Sequence, residues 1–312
     1  MPTVTPQVVV DAASGAGRAR PARRRRRALV AWLLALPFSV LFLVFMVVPL
    51  VASLLLSLTD LTSRDLRDPF AVEVVGLENY VRLMGDAGFR SAVVNTVYFA
   101  GVGVPLTVAV ALLLALALNT GINRFRSLFR VGFYTPVVTS MVAIAVVWKY
   151  ILDPGGLLNQ VLAGMGITGP DWLHDTAWAM PSLIGLATWR NMGTLMVIFL
   201  AGLQGLPQDV FEAARVDGAN AVQRFFSHTL PLLRPTILLG CVLISVYYFQ
   251  FFEEAFVMTG GGPLGSTTSV TYFTYEQFGY GRYGYASAAS YLLALAIGLV
   301  TLMQFRLLRN KD

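Results

Sequence analysis

Long apolar runs are the feature that most restricts what this chain can fold into. The run from Ala28 to Leu58 is nearly uninterrupted, and comparable runs recur down the chain. A helix needs about 20 consecutive apolar residues to cross the hydrocarbon core of a bilayer, and each run is long enough. Only 13% of the 312 residues are charged, against roughly 25% in a soluble domain. The sequence therefore predicts an all-α membrane protein.

Six transmembrane helices are predicted. They cover residues 28–58, 93–118, 128–150, 181–205, 235–258 and 285–307. The first run is about twice as long as the apolar region of a signal peptide, so we expect it to be an uncleaved span. Residues 1–27 are rich in Pro, Ala and Arg and lack apolar periodicity, which predicts a disordered basic tail. Residues 28–312 are predicted to form one six-span domain.

Basic residues concentrate in alternate loops and at both ends of the chain. The loop 151–180 has no Arg or Lys, and the loop 259–284 has only Arg282, whereas the loop 59–92 is mixed. Loops rich in Arg and Lys stay in the cytoplasm, so both termini are predicted to be cytoplasmic. Because the basic residues lie at span ends, the net charge of +6 is read as a topology signal. No nucleic-acid partner is expected.

The loop 207–234 is too long for a turn and too short for a domain. Good helix formers occupy Gln208–Asp217, Gly218 breaks the run, and a helical pattern resumes at Ala219–Thr229. Pro231 and Pro235 are expected to end the second helix. Two short cytoplasmic helices carrying apolar side chains favour a protein partner. A pair of helices lying on the bilayer surface is the alternative.

This loop resembles the EAA loop of ABC-importer permeases. The resemblance rests on Glu212-Ala213-Ala214, on Gly218, and on Leu230-Pro231 at the family's spacing. It implies that the loop docks on a separate ATPase subunit, with Glu212 as a candidate for a salt bridge to that subunit. The family prefers Ile where this chain has His228. The expected ATPase-coupling residues are Glu212, Ala213, Ala214, Asp217, Gly218, Phe225, His228, Leu230 and Pro231.

Further motifs resemble the carbohydrate-uptake branch of these permeases, the maltose type. They are Gly76–Tyr80, Asn95-Thr96, Leu200–Gln204 and Thr259–Pro263. The resemblance implies a multi-pass protein of the bacterial plasma membrane that imports a sugar or oligosaccharide. It also implies a second permease subunit in a heterodimer, two ATPase subunits and an extracytoplasmic solute-binding protein.

The chain is not expected to be an enzyme. Neither of its two lysines, Lys149 and Lys311, follows a glycine, so no Gly-Lys-Ser/Thr phosphate-binding loop is present. No nucleophile–base pair suggests a catalytic residue, and no His/Cys cluster has metal-ligand spacing. No cofactor is expected on this chain; ATP and Mg are expected on the partner ATPase subunits.

Polar residues within the spans mark a candidate solute site, because the membrane makes them costly. Arg190 and Glu254 either form a structural ion pair or line a polar cavity. In maltose-type permeases the sugar is contacted at positions that match residues on the fourth and fifth spans. Together with nearby aromatic and acidic side chains, the expected solute-binding set is Arg190, Asn191, Thr194, Ile244, Tyr247, Tyr248, Phe251 and Glu254. Helix packing is the alternative role for the aromatic residues.

Two alternative functions stay open. The same machine could carry glycerol-3-phosphate or another polyol derivative, since Arg190 suits a phosphate. A secondary transporter would need an inverted half or carboxylates in mid-span, and six unequal spans fit that class poorly.

Overall fold

The computed structural model describes residues 21–67, 72–120 and 126–308. In these ranges the chain is helical, with loops and an isolated antiparallel bridge between Thr59 and Val74. The α-helices are α1 (Pro21–Phe42), α2 (Val48–Leu56), α3 (Glu78–Gly85), α4 (Ala87–Thr120), α5 (Arg126–Val138), α6 (Met141–Leu152), α7 (Leu157–Gly164), α8 (Ala179–Gln204), α9 (Gln208–Val216), α10 (Ala221–Arg224), α11 (Leu230–Phe249), α12 (Val270–Gly279) and α13 (Tyr283–Leu308).

Six helical stretches of the described chain are long and apolar enough to cross a membrane. They are Ala31–Leu56, Ala87–Asn119, Met141–Gly164, Ala179–Gln204, Ala221–Phe249 and Tyr283–Leu307. The predicted all-α fold with six spans is confirmed. The side of the membrane on which each terminus lies stays a prediction.

The chain divides into two units, one ending at Ala52 and the other beginning at Ser53. In the first unit a π turn, Leu43–Val47, joins α1 to α2. The side chains of residues 31–52 are exposed, as expected of a surface that faces lipid or another chain. Residues 1–20 of the predicted tail lie outside the described residues. Helix α1 begins at Pro21, before the predicted boundary at residue 28.

The core of the second unit forms where α4, α8 and α11 pack together. Glycines let these helices approach closely, as small residues commonly do in membrane proteins. A Cβ added at Gly240 would lie 2.7 Å from the ring of Phe199, and one added at Gly202 would lie 2.8 Å from Thr236. The spans that bear the predicted solute residues are therefore held in direct contact.

The predicted third span, 128–150, is not one helix. Helix α5 ends at Val138, and α6 begins at Met141 after the non-helical residue Ser140. Pro136 lies inside α5 and removes a backbone donor. The hydroxyl of Thr139 also donates to the carbonyl of Thr135, which competes with the regular helical pattern. The apolar run continues through this break, so hydropathy alone did not reveal it.

The predicted fifth span, 235–258, is also misplaced. A helical stretch runs from Ala221 to Phe249, and the chain leaves the helix at Gln250. Pro231 and Pro235 do not end it. Pro231 follows a π turn at Phe225–Thr229, which changes the hydrogen-bond register, and Pro235 lies inside α11. Glu254 consequently lies beyond the end of α11, directly before a third π turn at Ala255–Thr259.

At the end of the second unit remote from α9, polar contacts tie loops to spans. Asn79 donates to the carbonyls of Ser57 and Thr59 at 3.0 and 2.7 Å. The carboxylate of Asp86 accepts hydrogen bonds from the hydroxyl of Tyr285 at 2.9 Å and from the backbone N–H of Phe89 at 3.1 Å. Partial burial works to raise the pKa of Asp86, but these hydrogen bonds outweigh it and hold the pKa below its ordinary value.

Candidate functional site

The segment predicted to couple to an ATPase begins with a short amphipathic helix, α9. Gly218 ends it in the left-handed region with φ of 77°. The N–H of Gly218 donates to the carbonyl of Arg215 at 3.1 Å, and that of Ala219 to Ala214 at 3.0 Å. These two bonds form a Schellman motif, for which glycine is favoured. A Cβ at Gly218 would meet nothing within 4 Å, so the backbone angle alone selects glycine.

The two faces of α9 differ in exposure. Ala214 is 4% exposed and is packed against the protein body. Glu212, Ala213 and Asp217 are exposed, and Val216 is 88% exposed. The helix is thus anchored through Ala214 while Glu212 is free to meet a partner.

The second part of the segment begins with a capping box. The side chain of Asn220 accepts from the N–H of Gln223, whose own side chain accepts from the N–H of Asn220, both at 2.8 Å. Helix α10 then passes through the π turn into α11. The predicted second short helix is therefore the first part of a membrane span.

Four further predicted coupling residues lie on this helix close to the body. Phe225, His228 and Leu230 are half-buried, as is Pro231. The Nδ1 atom of His228 is buried and has no hydrogen-bond partner among the described residues. Glu212 and Phe225 thus lie on separate helices, on either side of the Gly218 bend.

The candidate solute residues divide into two groups. Arg190, Asn191 and Thr194 on α8 are half-buried, and Tyr247 on α11 is 37% exposed. Asn191 donates to the carbonyl of Ala187 at 2.8 Å. This group offers charged, amide, hydroxyl and aromatic groups at an accessible surface.

Tyr247 connects Arg190 to Glu254. Nη1 of Arg190 donates to the Tyr247 hydroxyl at 2.8 Å, and that hydroxyl donates to Oε1 of Glu254 at 3.4 Å. Within the described residues no carboxylate oxygen lies within 4.0 Å of the Arg190 guanidinium. The direct ion pair considered from the sequence is not formed. The buried Nε of Arg190 has no partner in the same ranges.

The second group is buried. Ile244 is 5% exposed, Tyr248 0%, Phe251 2% and Glu254 1%. The ring of Phe251 stacks on Phe99 with centroids 4.0 Å apart. In this conformation the second group packs the chain's interior, and only the first group is accessible from outside. The assignment of the second group to solute binding stays a prediction.

A hydroxyl cluster behind Tyr248 was not identified from the sequence. The hydroxyl of Tyr248 lies 2.7 Å from that of Thr107, which donates to Thr188 at 3.1 Å. These bonds join α11, α4 and α8. Gly103 makes room for the ring, because its Cβ would lie 2.6 Å from Tyr248. The sequence signal that could have pointed to this cluster was the pair of glycines, Gly101 and Gly103, in an apolar span.

No group of three or more His, Cys, Asp or Glu side chains that could hold a metal ion occurs in the ranges 21–67, 72–120 and 126–308. In these ranges an exposed segment at α9 and the polar contact of Arg190 with Tyr247 are joined by one helical stretch.

The helices and the exposed segment at α9 define a multi-pass membrane protein of the transport-permease class. Residues 88–311 match the family described as binding-protein-dependent transport system inner membrane component. The chain belongs to this family.

Two curated relatives cover most of the chain. The lactose transport system permease protein of Rhizobium radiobacter is 35% identical, over 90% of this chain and 94% of the relative. The trehalose/maltose transport system permease protein of Thermococcus litoralis is 32% identical, over 91% of this chain and 96% of the relative.

A solved structure shares the fold. It is a chain of a bacterial alginate ABC transporter, crystallised with a periplasmic protein that holds an alginate pentasaccharide. The two chains superpose with a TM-score of 0.80 at 23% identity, covering 93% of this chain and 97% of the other.

Proposed function

We propose that this chain is a permease subunit of an ATP-driven, binding-protein-dependent importer for a sugar or oligosaccharide. One observation carries the proposal: α9 presents Glu212 outward, and one helical stretch then leads from Ala221 to the Arg190–Tyr247 contact. A docking surface and a polar intramembrane site are thus joined by one continuous helical stretch. The names of the curated relatives support the solute class.

In this proposal the importer contains several further components. A second permease subunit completes the solute pathway as a heterodimer, and an extracytoplasmic solute-binding protein delivers the sugar. Two ATPase subunits bind ATP and Mg and supply the energy. The complex lies in the plasma membrane of a bacterium, with both termini of this chain in the cytoplasm.

Coupling is proposed to pass along the helical stretch. Its 29 residues, at about 1.5 Å per residue, give a length of about 43 Å. An ATPase that moves α9 also moves the start of this stretch, because Asn220 caps it directly after the Gly218 bend. Tyr247 lies near the far end, so such a movement changes its position relative to Arg190.

The solute is proposed to meet Arg190, Asn191, Thr194 and Tyr247. The Tyr247 ring suits stacking on a sugar face, and the guanidinium carbon of Arg190 lies 6.0 Å from its centroid. Arg190 and Asn191 can donate to hydroxyl oxygens. Ile244, Tyr248, Phe251 and Glu254 support α11 from behind, and would meet solute only after the helices separate.

The test neutralises one exposed acid at a time on α9. Glu212→Gln removes the proposed partner of an ATPase cation, whereas Asp209→Asn makes the same change in the first turn of the same helix. Losing one side of a desolvated charge pair costs about 2–5 kcal/mol, so uptake into proteoliposomes should fall more than tenfold for Glu212→Gln. Asp209→Asn should stay near wild type. Equal uptake by the two variants would contradict the coupling role.

A phosphorylated polyol is the second candidate solute. Arg190 is half-buried and carries a guanidinium, the group that binds phosphate oxygens best. Competition of unlabelled maltose and glycerol-3-phosphate against uptake by the assembled importer distinguishes the two. Inhibition by glycerol-3-phosphate alone would replace the sugar assignment.

A further inference from the structure

A cavity of about 560 Å³ lies between the coupling segment and the ends of two membrane spans. Its walls come from the last turns of α4 and α8 and from α9, α10 and the π turn that follows. The cavity is separate from Arg190 and Tyr247, which do not line it. Neither the proposed docking of Glu212 nor the solute site uses it.

The lining of this cavity is positively charged. Arg215 and Arg224 contribute to it, and no Asp or Glu does. Within the described residues neither arginine has a carboxylate within 4.0 Å. The one side-chain bond of Arg215 in these ranges is a long one, from Nε to the carbonyl of Phe211 at 3.4 Å. Two guanidinium groups beside one cavity favour an anion with several oxygens, such as a phosphate.

The remaining walls are mixed in a way that fits a lipid. The lining also includes the amide side chains of Gln204 and Gln208 and the apolar side chains of Leu203, Leu206 and Phe225. The lining includes Asn119, Gln204 and Ala221, at which candidate membrane spans end or begin, so a bilayer crossed by these spans would have its headgroups at the level of the cavity. A soluble phosphate would leave the apolar walls without a partner, whereas a phospholipid places its glycerol and first methylenes against them.

We propose that this cavity binds the headgroup of an anionic phospholipid, with Arg215 and Arg224 holding the phosphate. The bound lipid then lies between the membrane and the coupling segment, in contact with both helices that flank the Gly218 bend. Basic pockets at the membrane surface are known to select anionic headgroups, each cation contributing about 1 kcal/mol, or about fivefold in affinity. The proposal does not depend on which solute the protein carries.

The test uses the assembled transporter in nanodiscs of phosphatidylcholine with or without phosphatidylglycerol. Native mass spectrometry counts retained phosphatidylglycerol for the wild type, Arg215→Gln/Arg224→Gln and the control Arg234→Gln. Arg234 is an exposed cation on α11 that does not line the cavity. We expect the double variant to retain phosphatidylglycerol at least about tenfold less than wild type, given two cations at about fivefold each. Arg234→Gln should match wild type.

Two further arms make each outcome decisive. Arg215→Lys/Arg224→Lys keeps both charges and should restore most of the binding, which a folding defect would not allow. Added inorganic phosphate should not displace the lipid. Displacement by phosphate would overturn the lipid as occupant. Unchanged lipid retention in the double glutamine variant would overturn the proposal. If that variant also loses the ATPase subunits on purification, these arginines bind protein instead of lipid.

Discussion

Arg190 on α8 donates to the hydroxyl of Tyr247 on α11 at 2.8 Å, and this bond joins the two membrane spans that flank the coupling segment. The same hydroxyl contacts the buried carboxyl group of Glu254 beyond the end of α11. A movement that separates the two spans must break or rotate this contact. The presence of this contact is therefore an indicator of the state of the proposed solute site.

Removing the Tyr247 hydroxyl should lower uptake without preventing assembly. Tyr247→Phe keeps the ring but leaves Arg190 and Glu254 without their bridge, and an unmet buried polar group costs about 1–3 kcal/mol. We expect about a tenfold fall in uptake by proteoliposomes. Tyr280→Phe, at an outlying residue that is 67% exposed, is the matched control. A wild-type rate in Tyr247→Phe would show that the bridge has no part in transport.

Gly103 should tolerate a methyl group far less well than its neighbour two residues away. Gly103→Ala places a Cβ 2.6 Å from the ring of Tyr248, whereas a Cβ at Gly101 meets nothing within 4 Å. Overpacking of this kind costs about 1–3 kcal/mol. Thermal unfolding in detergent should show a lower midpoint for Gly103→Ala than for Gly101→Ala. Identical midpoints would mean that Tyr248 shifts at no cost.

Substitution of Gly218 should act through backbone strain. The left-handed conformation costs a residue with a Cβ about 1–2 kcal/mol, and more for a branched one. We expect coupled uptake to fall in the order Gly218, Gly218→Asn, Gly218→Ala, Gly218→Val. The ATPase subunits should still co-purify with the asparagine variant.

Gly298→Ala is the control for that series, because this glycine lies within α13 with no atom within 4 Å of an added Cβ. Equal uptake by Gly218→Val and the control would remove the bend from the coupling mechanism.

Asp86 should make stability depend on pH at the acidic end. Its pKa is lowered in the folded protein, so its contribution is present above the unfolded-state value of about 3.9 and is lost as pH falls through the folded value. The difference in unfolding midpoint between wild type and Asp86→Asn should therefore shrink as pH falls below about 4. Asp175→Asn serves as the control. A difference that grows at low pH would contradict the assignment.

The sequence predicted the spans better where the helices are regular. The second, fourth and sixth spans follow from length and hydropathy, because burial in lipid requires an unbroken apolar helix. The break at Thr139–Ser140 and the passage of α11 through Pro231 depend on hydrogen-bond register, to which hydropathy is insensitive. The prolines were read as terminators because the π turn before them has no sequence pattern that we recognised.

The candidate site was predicted in composition but not in orientation. Tyr247 and Tyr248 are adjacent and chemically identical, yet one is 37% exposed and the other fully buried. A span that is apolar on all sides has no polar face to show which residues point inward. Which of the two tyrosines points inward depends on Gly103 of α4, which is distant in sequence. The orientation becomes visible only once the helices are packed.

The uninterrupted stretch from Ala221 to Phe249 has a thermodynamic consequence. If a partner bound at its first turns favours one position of the helix, a solute that contacts Tyr247 experiences that preference as a change in affinity. Linkage requires the reverse effect to be equal, so the solute must alter the partner's affinity by the same factor. A measurement of either affinity, with and without the other ligand, therefore reports how rigidly this one helix connects the two ends.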